Sequence, residues 1–358
     1  MTSPETTTWV SDRLPTGIVH LDAAGAGRVS TATLAAEVAH LRAEAELGAY
    51  VAQALAEPLV AVGREALGAL VGLTGADTCF VEGASVAFAT VLAAWPLPSG
   101  ARIGYTPGEY GANARVLRRL AAERAWELVL LPVDGHGRVL DVPAGLDLVT
   151  FPQVSSQRGI AQPVDAVRDS GVPLLLDVAQ SLGQVPVPAG CAAYVGTSRK
   201  WLCGPRGVGF AVVRPDVQAT LVEPPTLAPA LEHGMRRWES QEAHIAGRVG
   251  LAVAAREWSA ALVPVVLARA AHARRILDGV AGWQVREPAD EPTGITTLEG
   301  GDPVGTREGL LEEGFVLSAI PAARADDLAG PVLRISTAAW VQDAELDALA
   351  EALARRTK

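Results

Sequence analysis

The sequence predicts an α/β fold, a mostly parallel sheet sandwiched by helices, followed by a smaller α+β C-terminal domain. Three observations predict it. From about Thr78 to Val213, short β-branched runs alternate with helix-length stretches, the pattern of parallel strands joined by crossover helices. After Glu239 that alternation gives way to two long helical segments and then short strands. A chain of 358 residues, 49% hydrophobic and 20% charged, can bury a sizeable core in a large domain plus a smaller one.

The elements follow in order. "VHLDAAGAGR" reads as a short strand running into a turn. "TCFVE" leads into the helix "SVAFATVLAAW", and "ARIGYT" into "NARVLRRLAAERA". "ELVLLPV" ends at the turn "DGHGR"; "LDLVTF" and "VPLLLDV" flank the helix "VDAVRDS", and "AAYVGT" precedes Lys200. Helices over roughly Ala243 to Ala261 and Val263 to Val280 are followed by the strands "GITTLE", "GFVLSAI" and "VLRIST", then by a helix near Asp343 to Arg355. The expected domains are 16–242 for the large α/β unit and 243–358, with 1–15, for the small one.

Bulk properties narrow the partners. A net charge of −10 with no basic run argues against nucleic acid or an anionic membrane and for a small-molecule substrate. The start, "MTSPETTTWVSDRLP", has neither the basic nor the apolar region of a signal peptide, and Arg256 and Glu257 interrupt the longest apolar tract. Cys79, Cys191 and Cys203 show no CxxC spacing, which suits reduced thiols and a cytoplasmic location. The six histidines include no HExxH pair, so no metal site is expected.

Lys200 and Lys358 are the two lysines among 30 basic residues. Arginine supplies charge as well as lysine does, but only a primary amine can act as a neutral nucleophile and form an imine. Pyridoxal phosphate is the cofactor such a lysine would hold. Its pyridine nitrogen needs a carboxylate. Asp177 ends the strand "VPLLLDV", where open α/β sheets place their ligands, and Gln180 stands three residues on. An aspartate there can also simply cap the next helix; the downstream lysine favours the cofactor role. Gly83, Ala84 and Ser85, between a strand and a helix, could cradle phosphate, with Thr197 and Arg199 adding a hydroxyl and a guanidinium.

These residues resemble fold-type I enzymes of the class V aminotransferase family: "TSRK" is similar to its lysine segment, "DVAQ" to its aspartate–glutamine pair, and "GEYGAN" to its aromatic loop. The resemblance runs from "VHLDAAGAGR" to Trp340. It implies that Lys200 forms the Schiff base, Asp177 pairs with the pyridine nitrogen and Gln180 bonds the ring oxygen. It places phosphate on Ala84, Ser85, Thr197 and Arg199, adds Ser156 as a cofactor contact, and puts Tyr110 over the ring, either as a stacking group alone or also as a catalytic residue that protonates or orients the leaving group. Arg334 in "VLRIST" is implied to take the substrate α-carboxylate, with Ala24 also lining the substrate site. A homodimer is implied too.

Two departures matter. No cysteine lies between Gly314 and Arg334, which argues against desulfurase chemistry, and Gln241 and Glu242 replace a phosphate-binding Gly-Thr pair, leaving Arg206, Arg236 or Arg237 to substitute. "AELGAYVAQALAEP", "PGEYGAN", "SSQRGIAQP" and "SRKWLCGPRGVG" together are similar to the carbon–sulfur lyases of ergothioneine biosynthesis. That similarity implies β-elimination from hercynylcysteine sulfoxide, an S-substituted cysteine sulfoxide. An epimerase or aminotransferase of isopenicillin-N-epimerase type is the alternative. Trp201, Trp238, Trp340 and Tyr50 are the aromatics available to cage a trimethylammonium group. A dinucleotide-binding reading of the glycines fails: "GPRGVG" has the wrong order, and Glu44 and Glu46 lie in a helical pattern.

Overall fold

The computed structural model describes residues 4–222 and 233–356. Helix α1 (Pro4–Ser11) and strand β1 (Val19–His20) lead to α2 (Thr31–Leu47) and α3 (Ala49–Ala69). The Ser30 hydroxyl starts α2 by accepting from the Thr33 N–H, and Gly48 at φ +85° separates the two helices. The α/β region then reads β2 (Thr78–Val81), α4 (Ala84–Ala94), β3 (Arg102–Tyr105), α5 (Gly111–Arg124), β4 (Glu127–Leu130), β5 (Leu148–Pro152), α6 (Val164–Asp169), β6 (Leu174–Asp177), β7 (Ala193–Thr197), β8 (Gly209–Val213) and the short α7 (Pro215–Gln218).

The seven strands form one sheet in the order β2-β8-β7-β6-β5-β3-β4. Strands β5 and β6 are buried along their whole length, as their unbroken apolar runs require. The sheet departs from a fully parallel one at β8, which runs antiparallel to both β2 and β7. Because β8 is the hairpin return of β7, strands β2, β6 and β7 still point the same way. Their carboxyl ends meet at one edge, the usual ligand edge of an open α/β sheet.

Beyond the sheet lie α8 (Ile245–Glu257), α9 (Leu262–Leu277), β9 (Gln284–Val285), β10 (Ile295–Glu299), α10 (Pro303–Glu312), β11 (Phe315–Val316), β12 (Ser318–Ile320), β13 (Val332–Ser336) and α11 (Asp343–Arg355). Helix α8 is buried nearly all round and packs against α2 and α3. It meets α9 at 87°, and among the described residues no single helix is long and apolar enough to cross a membrane. Strands β12, β13, β10 and β9 form an antiparallel sheet.

The expected strand "GFVLSAI" is split. Its first part, β11, pairs in parallel with β1, while β12 pairs with β13. Asp22 forms a parallel bridge with Ser336, so the first segment of the chain is sewn onto the C-terminal sheet. That stitching positions one side of the site.

Candidate active site

A cavity of about 440 Å³ opens at the carboxyl ends of β2, β6 and β7; Lys200, Asp177, Gln180, the Gly83–Ser85 turn, Thr197, Arg199, Ser156, Tyr110, Arg334 and Ala24 all line it, whereas the four aromatics offered for a cation cage do not. Its size is ordinary for a small-molecule site.

Lys200 stands just beyond β7, in the loop that returns as β8. The loop closes on itself through the Gly204 N–H donating to the Ser198 carbonyl at 2.9 Å. The segment after β1 braces it from outside: the Gly27 N–H donates to the Arg199 carbonyl at 2.7 Å, and a Cβ on Gly27 would sit 2.4 Å from the Lys200 carbonyl oxygen. The glycine is therefore required for a close backbone approach. Burial pushes the Lys200 amine down to about 7; Asp177 opposes this, and Arg199, Arg334 and Arg324 reinforce it. A large share of the amine is neutral at physiological pH, the state a nucleophile needs.

Asp177 lies at the end of β6, buried, its two oxygens accepting from the Ala179 N–H and the Asn113 amide, each at 2.8 Å. Burial still raises its pKa, with the Lys200 charge pulling the other way. Asn113 also donates to Glu109 at 3.2 Å. Glu109 is buried, its carboxyl pushed up to about 8 by burial and then by the Asp177 charge. Gln180 is fixed at both ends: its Nε2 donates to the Ala24 carbonyl at 3.0 Å and its Oε1 accepts from the Trp201 indole at 2.9 Å. One amide N–H remains to serve a ring oxygen.

The opposite end of the cavity is built for an anion. Helix α4 begins at Gly83 with no side-chain cap, so the N–H groups of Ala84, Ser85 and Val86 lack intrahelical partners where they line the cavity. Gly209 on β8 lets this turn approach: a Cβ there would lie 2.5 Å from Gly83. Arg199, Arg206 and the Thr197 hydroxyl share this lining, and neither guanidinium has a carboxylate partner among the described residues.

Arg334 on β13 is buried, donating to Asp22 and to the Ser156 carbonyl at 3.0 Å each, while its Nε has no partner. Asp22 is held by the Ser318 hydroxyl at 2.8 Å. Ser156 thus orients Arg334, and its own hydroxyl donates to Gln157 at 3.2 Å. Ala24 has both backbone groups engaged, its N–H with Ser336 at 3.0 Å, so it offers the cavity only its surface. Tyr110 precedes the first residue of α5, and the Arg324 guanidinium lies over one face of its ring, 5.4 Å from the centroid. The other face is left for a planar ligand.

The aromatic cage is not assembled. Trp201 is buried and bonded to Gln180, Trp238 lies in the core under the large sheet, Trp340 stacks on Trp9 at 5.8 Å, and Tyr50 is 77% exposed on α3. The three indoles serve packing, Tyr50 faces solvent, and Tyr110 is the one aromatic lining the cavity among the described residues. Of the arginines offered for phosphate, Arg206 lines the cavity; Arg236 instead pairs with Glu57 at 3.3 Å, and Gln241 lines a separate small cleft beside Arg64. All three cysteines are buried and none lines the cavity. Lys358 lies outside the described residues. Glu109, Asn113, Asp22 and Arg324 escaped the sequence reading. "EYGAN" carried a signal for the first two, an acid just before a helix and an amide four residues on in its first turn.

The lining fits pyridoxal phosphate: a neutral amine, a fixed carboxylate, unpaired helix N–H groups beside unpaired guanidiniums, and a buried arginine with a donor to spare. The family model for aminotransferase class V matches residues 19–244. The chain belongs to the class V aminotransferase family. This class V enzyme is 38% identical over 378 residues, covering 98% of it and 93% of the relative, to a protein described as a probable hercynylcysteine sulfoxide lyase of Mycobacterium tuberculosis. It is 30% identical over 288 residues, 70% of this chain and 71% of the relative, to isopenicillin N epimerase of Streptomyces clavuligerus. Its fold matches the apo cysteine desulfurase of Thermococcus onnurineus NA1 with a TM-score of 0.88 at 17% identity, over 100% and 99% of the two chains. The class V enzyme is a fold-type I protein whose cofactor is pyridoxal 5′-phosphate.

Proposed function

We propose that the protein is a carbon–sulfur lyase that cleaves hercynylcysteine sulfoxide by β-elimination in ergothioneine biosynthesis, working in the cytoplasm as a homodimer. The observation that carries the reading is the end-to-end similarity to the mycobacterial lyase. The absence of any cavity-lining cysteine among the described residues supports it against a desulfurase reaction, which needs a cysteine nucleophile.

Bound pyridoxal phosphate supplies the electron sink for a carbanion at the substrate α-carbon. Lys200 holds the cofactor and then, as a neutral amine, removes the α-proton. Asp177, oriented by Ala179 and Asn113, keeps the pyridine nitrogen protonated. The spare Arg334 donor binds the α-carboxylate. Tyr110 stacks on the ring and passes a proton to the departing sulfenate oxygen. The C–S bond breaks heterolytically, its electron pair leaving with sulfur, and water completes the release of pyruvate and ammonia. A thiol reductant converts the sulfenic acid to the thiol.

Incubating the holoenzyme with hercynylcysteine sulfoxide should release stoichiometric pyruvate. A second reading, an amino-acid epimerase, draws on the similarity to isopenicillin N epimerase. Inversion at Cα without pyruvate would establish that reading and overturn the lyase.

A further inference from the structure

Among the described residues no aromatic cage forms at the cavity, which leaves the sulfur-bound half of the substrate to other contacts. A second cavity of about 280 Å³ adjoins the first and shares Tyr110 and Arg324 with it; Gly111, Arg115 and Pro321 are among its other walls. We propose that this second cavity is a subsite for a carboxylate carried on the sulfur-bound group of the substrate. The proposal rests on the lyase reading and deepens it.

Charge is the first argument. Arg115 and Arg324 are the ionisable cations of this wall, no acidic side chain lines it, and neither guanidinium has a carboxylate partner among the described residues. The acids of the neighbouring loop are already engaged: Asp326 pairs with Arg118, and Asp327 pairs with Arg158 at 3.1 Å. Arg324 therefore stands as an uncompensated cation, close enough to depress the Lys200 amine and to act on Arg334. An anion bound there would relieve that repulsion.

Elimination is the second argument. The phosphate end accounts for Arg199 and Arg206, and the α-carboxylate for Arg334. Arg324 is left over, on the far face of Tyr110. A group extending from the sulfur past Tyr110 would enter this wall. The position is fixed as well. The Gln157 amide donates to the Gly108 carbonyl at 3.1 Å and to Asp327 at 3.0 Å, which ties the Tyr110 loop to the loop carrying Arg324. The start of α5 has no side-chain cap, so the N–H groups of Gly111 and Ala112 add donors to the same wall.

The test compares S-carboxymethylcysteine and S-(2-carboxyethyl)cysteine with their neutral amide counterparts, binding to the holoenzyme being followed by calorimetry. For at least one chain length the wild type should prefer the carboxylate by about tenfold, the scale of one charge-assisted contact. Arg324→Gln and Arg115→Gln should each shrink that ratio to about twofold or less, and Arg324→Lys should restore part of it. Arg115 is exposed and Arg324 half-buried, and neither holds a salt bridge among the described residues, so the variants should fold, and the ratio within each variant cancels any general loss of binding. Equal wild-type binding of acid and amide at both lengths, or an unchanged ratio in Arg324→Gln, overturns the subsite. Pyruvate released from cysteine sulfoxides without any such preference would leave the lyase standing and the subsite refuted. A preserved preference without pyruvate would do the reverse.

Discussion

Replacing Arg334 by glutamine separates the two jobs its guanidinium performs. Toward substrate, glutamine keeps hydrogen-bonding groups but loses the charge and the fork. Removing one partner of a buried charge-assisted pair costs about 2–5 kcal/mol, which at about 1.36 kcal/mol per decade is a fall of about 30- to 5,000-fold in kcat/KM. Toward the protein, the change leaves the Asp22 carboxylate with the Ser318 hydroxyl at 2.8 Å but without its cation. Asp22 keeps 19% of its side-chain surface, so the cost falls below that of a fully buried broken pair, at about 1–2 kcal/mol. Coupled pyruvate detection reads the first effect and thermal unfolding the second. Adding Asp22→Asn removes the orphaned charge, so the double variant should recover stability but not turnover. The control substrate is a cysteamine sulfoxide, which lacks the α-carboxylate and should be nearly indifferent to Arg334→Gln. An equal loss on both substrates, or unchanged kinetics on the amino acid, would refute the carboxylate role and leave Arg334 as a strut between β13 and Asp22.

Lys200→Ala and Lys200→Arg should both abolish the imine absorbance; in the wild-type apoprotein the rate of cofactor capture should climb about tenfold per pH unit below about 7 and level off above it, as the amine becomes fully neutral. A rate still climbing at pH 9 would contradict the depressed amine. Glu109, whose carboxyl is raised to about 8 in the fold, binds its proton more tightly folded than unfolded. Its contribution is thus complete below the ordinary carboxylate range and lost as pH rises through about 8. The Tm of wild type should therefore decline relative to Glu109→Gln between pH 5 and 9, and parallel Tm curves would show that Glu109 titrates normally. Gly209→Ala drives a methyl into Gly83, 2.5 Å away. It should cost about 1–3 kcal/mol of stability and loosen pyridoxal phosphate in a spectral titration; unchanged affinity would mean that the turn before α4 does not hold the phosphate.

The sequence by itself determined six of the seven strands of the large sheet, all but β8, and the identity of its central chemistry. Runs such as "VPLLLDV" are apolar throughout because a strand covered on both faces has no solvent side, and that composition is local. The solitary internal lysine was legible for a related reason: no other residue type offers a neutral amine, and in a chain otherwise written with arginine its presence needs a chemical cause. What the sequence did not show is whatever depends on residues far apart in the chain. Asp22 and Arg334 are separated by 312 positions and meet only because β1 pairs with β11 and Asp22, just after it, bridges to Ser336 at the end of β13. The antiparallel course of β8 follows from the return of the chain after Lys200, and nothing in "GPRGVG" shows that Gly209 presses against Gly83 until the fold does. The tryptophans could be counted but not placed, since an indole buried in a core and one facing a ligand have the same local sequence. Only the tertiary structure decided which arginines are neutralised by a neighbour and which, like Arg324, are left facing the cavity, because a charge is compensated through space and not along the chain.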